Sequence, residues 1–183
     1  MMKHITLFMI LMIAAGISVF FPCTAQAADY GFKLVTNQNA LEAALDVNVD
    51  VSDSRLIAGI SGLYDNDDYK LLFVKALVSD EVLFEGLTAG LGLKGTWGEA
   101  EKRHFDADVL NAGFACYVGY DLSKSGLNNL PVTLSAGFFM SPEPLSFEDT
   151  EELIEVTAQG TWKVLEQAAI VVSYRYIEID FEP

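Results

Sequence analysis

The chain has 183 residues, 26 of them acidic and 11 basic, for a formal net charge of −15 at pH 7. That surplus of carboxylates repels phosphate backbones and argues against nucleic acid as a partner. Apolar residues make up 51% and charged ones 20%; with no linker, second domain or low-complexity tract, one domain is expected after the N-terminal segment.

That segment sets the compartment. Met1 to His4 is a short basic start, residues 5 to 21 are almost wholly apolar, and Ala25-Gln26-Ala27 offers small residues where a signal peptidase reads. The layout is that of a secretory signal peptide over residues 1–27, leaving 28–183 as the mature domain. A retained membrane anchor fits less well, because the apolar run ends in Pro22. Cys23 follows Phe20-Phe21-Pro22, where a lipoprotein signal wants small residues. Cleavage leaves Cys116 as the only cysteine, so no internal disulfide can form.

Beyond the leader the dominant period is two, that of a strand whose side chains alternate between faces. Residues 29 to 39 precede the first clear strand and extend it or line its mouth. The first strand sets Leu41, Ala43, Leu45, Val47 and Val49 against Glu42, Ala44, Asp46 and Asn48. The second sets Leu56, Ala58, Ile60 and Tyr64 against Gly59 and Ser61, and the third sets Leu72, Val74, Ala76 and Val78 against Lys75. The fourth is the clearest: Leu87, Ala89, Leu91, Leu93, Gly95 and Trp97 alternate with Thr88, Gly90, Gly92, Lys94 and Thr96.

In the fifth strand Leu110, Ala112, Phe114, Cys116, Val118 and Tyr120 oppose Asn111, Gly113, Ala115 and Gly119. Upstream, the apolar phase moves to Phe105, Ala107 and Val109, as at a β-bulge or where a strand leaves a membrane. The sixth sets Val132, Leu134, Ala136, Phe138 and Met140 against Thr133, Ser135 and Gly137. The seventh sets Ile154, Val156, Ala158, Trp162 and Val164 against Glu155, Thr157, Gln159, Thr161 and Lys163. The eighth runs Ile170, Val172, Tyr174 and Tyr176 against Ser173 and Arg175, then shifts phase to Ile177, Ile179 and Phe181. Turn residues separate all eight. The expected fold is all-β, an eight-stranded antiparallel up-and-down transmembrane β-barrel, with both termini at one end because the count is even.

Alternation alone does not say which face is inside, and a soluble lipocalin-like barrel binding an apolar ligand gives the same period. The polar face favours a lumen: it is rich in glycine and carries charges of both signs, Glu42, Asp46 and Glu155 against Lys75, Lys94, Lys163 and Arg175. These are expected to form a charge network across the barrel. Phe73, Leu77, Tyr117 and Phe139 are expected to project inward beside them, plugging the lumen and disfavouring a narrow channel. Tyr64, Trp97, Tyr120, Phe138, Trp162, Tyr174 and Tyr176 lie near the ends of apolar stripes, where an aromatic girdle belongs.

Four stretches carry a family likeness: Ala40-Leu41-Glu42-Ala43-Ala44-Leu45-Asp46-Val47-Asn48, Gly86-Leu87-Thr88-Ala89-Gly90-Leu91-Gly92, Met140-Ser141-Pro142 with Leu145-Ser146-Phe147, and Tyr174-Arg175 with Asp180-Phe181. On these the chain resembles the YfaZ family of outer-membrane proteins over nearly its whole mature length. The resemblance implies a monomeric barrel in the outer membrane of a Gram-negative bacterium, with outer-membrane lipid and the outer-membrane assembly machinery as partners. It implies no activity or cofactor, since these are patterns of barrel construction.

Nor do the residues offer a catalytic set. The mature chain has one histidine, His104, preceded by Lys102 and Arg103, with Asp106 rather than a serine two positions on. A hydrolase would need that base beside a nucleophile or activated water. One histidine and one cysteine do not make a zinc site, and Asp65-Asn66-Asp67-Asp68 lacks the glycine and closing glutamate of a calcium loop. Neither a metal nor a cofactor is expected, and no enzyme activity.

Overall fold

Strands form wherever apolar and small or polar residues alternate, and they run longer than the alternation implies. The computed structural model describes residues 28–36, 39–52, 54–65, 69–102, 105–124 and 130–181. It holds ten strands: β1 (Ala28–Thr36), β2 (Ala40–Val51), β3 (Ser54–Asp65), β4 (Tyr69–Glu81), β5 (Leu87–Lys102), β6 (Phe105–Asp121), β7 (Val132–Ser141), β8 (Ser146–Glu148), β9 (Thr150–Leu165) and β10 (Ala168–Phe181). Single 3-10 turns occupy Leu122–Lys124 and Glu143–Leu145. Residues 1 to 27, expected to be a signal peptide, His104 and residues 66 to 68 of the acidic run lie outside the described residues.

All pairings are antiparallel. β1 through β7 follow one another in a meander, β9 pairs with β7 and β10 with β9. The sheet curls until β1 lies against β10, nearly closed into a barrel, although among the described residues no ladder joins these two strands. Short β8 stands off this path and pairs Ser146–Glu148 with Val109–Asn111 on β6.

The strand count corrects the expected eight. β1 is a separate strand, cut from β2 by the polar stretch Asn37-Gln38-Asn39, with Tyr30, Phe32 and Leu34 on its outer face. β8 is too short for any periodicity to show. It arises because β7 leaves β6 at Phe114↔Met140, and the connection folds back to cover the rest of β6. Ser141 holds that fold, its hydroxyl 2.8 Å from the Ala112 carbonyl and 3.1 Å from the Ser146 hydroxyl. With β8 off the path, nine strands remain in sequence. Ala28 and Phe181 therefore end at opposite rims, not at one as an even count requires.

Of the two alternatives for the phase shift near Val109 the bulge is not found, and on β10 the register to β9 shifts only at the strand ends, at Ala168/Ala169 and Asp180/Phe181. The β5–β6 register is continuous from Leu87↔Tyr120 to Lys102↔Phe105, and β10 keeps its odd residues inward from Val171 to Phe181. What changes is the surroundings. Near the C-terminal rim the interior turns apolar, with Leu63, Leu71, Phe73, Ala100, Val109, Phe139 and Leu153 in one cluster against Ile177, Ile179 and Phe181. The exterior at that level turns acidic, with Glu99, Asp108, Glu178 and Asp180 exposed.

The turn after β4 fixes the opposite, N-terminal rim. Gly86 has φ +88°, and its carbonyl accepts from the Asp121 N–H at 2.9 Å. Lys124 meets Glu85 at 2.9 Å, and that carboxylate holds its ammonium above the ordinary lysine value. Phe84 packs edge-on against Tyr120, with centroids 5.7 Å apart. A Cβ at Gly86 would sit 2.8 Å from Lys124 Cβ. Gly86→Ala is therefore expected to cost at least roughly 1–2 kcal/mol, the penalty of a left-handed alanine. Gly31→Ala, with nothing within 4 Å of the added carbon, is the control. Unfolding midpoints in denaturant give both values.

Candidate functional site

Strand alternation sends one set of side chains to the interior, and that set includes charges of both signs. β2 directs Glu42 and Asp46 inward, β4 Lys75, β5 Lys94, β9 Glu155 and β10 Arg175. β1 adds Lys33, which the sequence reading did not include. Five of these form one chain. Lys33 Nζ lies 2.8 Å and Arg175 Nη2 3.0 Å from Glu42 Oε1. Arg175 Nε lies 3.7 Å from Glu155 Oε1, and Lys94 Nζ 2.5 Å from Glu155 Oε2. Lys75 and Asp46 pair separately at 2.8 Å.

The register explains why both pairs are needed. Lys75 and Lys94 stand directly opposite one another on β4 and β5, an arrangement that repels unless each has its own counter-ion. Asp46 reaches Lys75 across Gly59, which lies between them in register. A Cβ on Gly59 would run into both the Asp46 carboxylate and the Lys75 chain. Glycine on this face makes room for the ion pair.

Aromatic rings fill the space around the cations. Lys94 Nζ is 4.1 Å from the Phe73 centroid and 5.0 Å from that of Phe139, and Arg175 Cζ is 5.4 Å from Phe73. Phe73, Leu77 and Phe139 are buried, and Tyr117 covers Gly90. Thr96 and Asn111, opposed in register, are also buried in the wall. Thr96 Oγ1, both Asn111 amide atoms and Arg175 Nη1 make no hydrogen bond. Nothing in the alternation distinguishes these two from other polar inward positions.

Two features of the expected site differ. Lys163 shares the inward phase of Glu155 but lies near the far end of β9, exposed at the N-terminal rim near Asp121, and is not part of the chain of ion pairs. Lys33 takes its place in the count of cations. Its signal was present: Tyr30, Phe32 and Leu34 on one face leave Lys33 on the other.

The outward aromatics fall into groups. Tyr64, Trp97, Phe138 and Tyr176 stand toward the C-terminal rim, Trp97 two residues before Glu99 and Tyr176 donating to Glu178 at 3.0 Å. Tyr120 and Trp162 stand toward the N-terminal rim, Tyr120 half-buried by Phe84. Tyr174 is in mid-strand, between the groups. Cys116 is free and lies on the outward face of β6. Among the described residues no three His, Cys, Asp or Glu side chains gather as metal ligands.

No protein-family model, no curated protein and no solved structure matches the chain.

Arg175 is the link on which the chain turns, because it alone touches both buried glutamates. Without Arg175, Glu42 keeps Lys33 and Glu155 keeps Lys94, so the loss is that of a charge-assisted bond, roughly 1.5–3 kcal/mol. Arg175→Ala is expected to lower stability by that order. Arg175→Met combined with Lys33→Met and Glu42→Gln leaves the Lys94–Glu155 pair intact with no charge in the chain unpartnered, and should recover much of the loss. Equilibrium unfolding of the single and triple variants measures the coupling.

Proposed function

We propose that the protein is a small outer-membrane β-barrel of Gram-negative bacteria, akin to the YfaZ family, with an occluded lumen and a structural or surface-interaction role rather than a catalytic one. The observation that carries this is the polarity of the wall. Leu45, Ile60, Val74, Leu91, Leu93, Phe114, Val118, Leu134, Val172 and others point outward and are exposed, while the ion chain points inward. A soluble protein rarely exposes so continuous an apolar surface. A lipocalin-like binder would need these stripes inside.

The dimensions agree. On β6 the outward apolar run extends from Leu110 to Tyr120, ten steps of about 3.3 Å. At the 35–45° tilt of closed barrels this spans about 25 Å, the height of the apolar band of outer-membrane barrels. Charged residues bound the band at both rims: Glu99, Asp108, Glu178 and Asp180 at one, Asp50, Arg55, Asp80 and Glu81 at the other. Lipid around the barrel and the outer-membrane assembly machinery are the partners this implies, with the barrel acting as a monomer.

The decisive substitution is Leu93→Arg, at the middle of the outer face of β5, where the side chain is 60% exposed. In a membrane barrel the change should cost about 2–4 kcal/mol and reduce insertion; in a soluble protein an exposed arginine would be harmless. Heat-modifiable migration after detergent extraction, compared between wild type and variant, reads the difference. Phe73, Leu77, Phe139 and the ion chain in the interior support an occluded lumen. Planar bilayers holding the wild-type protein should show near-zero conductance, and discrete single-channel currents would reinstate the channel alternative.

A further inference from the structure

The outer wall carries a groove of about 600 Å³ near the C-terminal rim, lined by residues of β2 through β6. Two rows of side chains in register build it. The lower row reads Ala43, Gly62, Leu72 and Trp97, each paired with the next across adjacent strands. Small Ala43 and Gly62 make the floor, and Leu72 and Trp97 rise as one wall. The upper row reads Leu41, Tyr64, Lys70, Glu99 and Asp108, again paired in sequence across five strands. An apolar trough thus runs up to a short charged lip at the height where the apolar band ends.

Among the described residues the lip is electrostatically incomplete. Glu99 and Asp108 are opposed in register on β5 and β6, and like charges placed so repel. Lys70, opposite Glu99 on its other side, sits with its ammonium 6.0 Å from the centre of the Tyr64 ring. The row therefore presents one cation beside two carboxylates, above a trough suited to a hydrocarbon chain. A ligand complementary to it carries a phosphate for Lys70, a hydrogen-bonding ammonium for Glu99 and Asp108, and an acyl chain.

We infer that this groove is a binding site for one phospholipid with a primary-amine headgroup, of the phosphatidylethanolamine type. The inference rests on the membrane assignment proposed above. The acyl chain lies along Gly62 and Ala43 between Tyr64 and Trp97. The phosphate meets Lys70, and the ammonium relieves the repulsion between Glu99 and Asp108. A phosphatidylglycerol headgroup brings no cation to the acidic pair, and a quaternary ammonium cannot donate hydrogen bonds to it.

Native mass spectrometry of the full-length mature barrel tests this, after release from mixed micelles of dioleoyl-phosphatidylethanolamine and dioleoyl-phosphatidylglycerol. The wild type should retain one phosphatidylethanolamine, in roughly fivefold preference over phosphatidylglycerol, the scale of a good exposed ion pair. Gly62→Leu fills the floor without a clash, since a Cβ there has nothing within 4 Å; it should abolish retention of both lipids. Glu99→Gln combined with Asp108→Asn should keep the trough and lose the headgroup preference. Equal retention of the two lipids by the wild type, or undiminished retention by Gly62→Leu, would overturn the site. A detergent-dependent, heat-modifiable barrel that keeps no lipid defeats the groove and leaves the membrane assignment standing. A protein that stays in the aqueous phase without detergent defeats both.

Discussion

Closure of this barrel depends on an ionic clasp where backbone pairing stops. Among the described residues β1 and β10 lie together at a seam without a ladder, unlike every other neighbouring pair on the strand path. Side chains bridge it. Arg175 on β10 reaches Glu42 on β2, Lys33 on β1 binds the same carboxylate, and Lys33 also donates to Gln159 on β9 at 3.4 Å. Glu155 and Lys94 then carry the chain across the lumen to β5. Buried charges of this kind are costly unless each finds a partner, and here each carboxylate in the chain meets two cations.

The rest of the interior is arranged around that clasp. The phenylalanines exclude water from it and offer ring faces to its cations. The apolar cluster above it closes the C-terminal half of the lumen. Polarity therefore changes along the barrel axis as well as across the wall: ionic inside where the exterior is apolar, apolar inside where the exterior is acidic. A single strand such as β10 passes from one zone into the other with its register to β9 unbroken from Ala169 to Asp180. Arg175 and Ile177 face the same way in different surroundings.

Most of the fold was legible in the sequence because a period of two is a strong signal over ten residues and a one-residue slip would reverse every face. Eight of the strands follow from that alone, whereas the inward placement of Glu42, Asp46, Lys75, Lys94, Glu155 and Arg175 needed the glycines and the mixed charges of the polar face as well. Two kinds of feature escaped it. β1 was hidden by the polar stretch after Thr36, and β8 by having only three residues, so the count and the placement of the termini went astray. The phase shifts near Val109 and Ile177 were legible as changes of apolarity, yet hydropathy cannot tell a turned strand from a changed environment. Lys163 shows the remaining limit. Alternation gives the face of a residue but not its height along the barrel.

The odd strand path has a consequence for the order of folding. Every ladder in the meander joins segments close in sequence and needs only a short loop to be closed, whereas the bond from Lys33 to Gln159 spans 126 residues. Closing so long a loop carries the largest entropic cost in the molecule. The contact between the first and last strands is therefore the last to be made. Until Arg175 arrives at Glu42, the chain is an open, curling ribbon whose two outer edges are both unsatisfied.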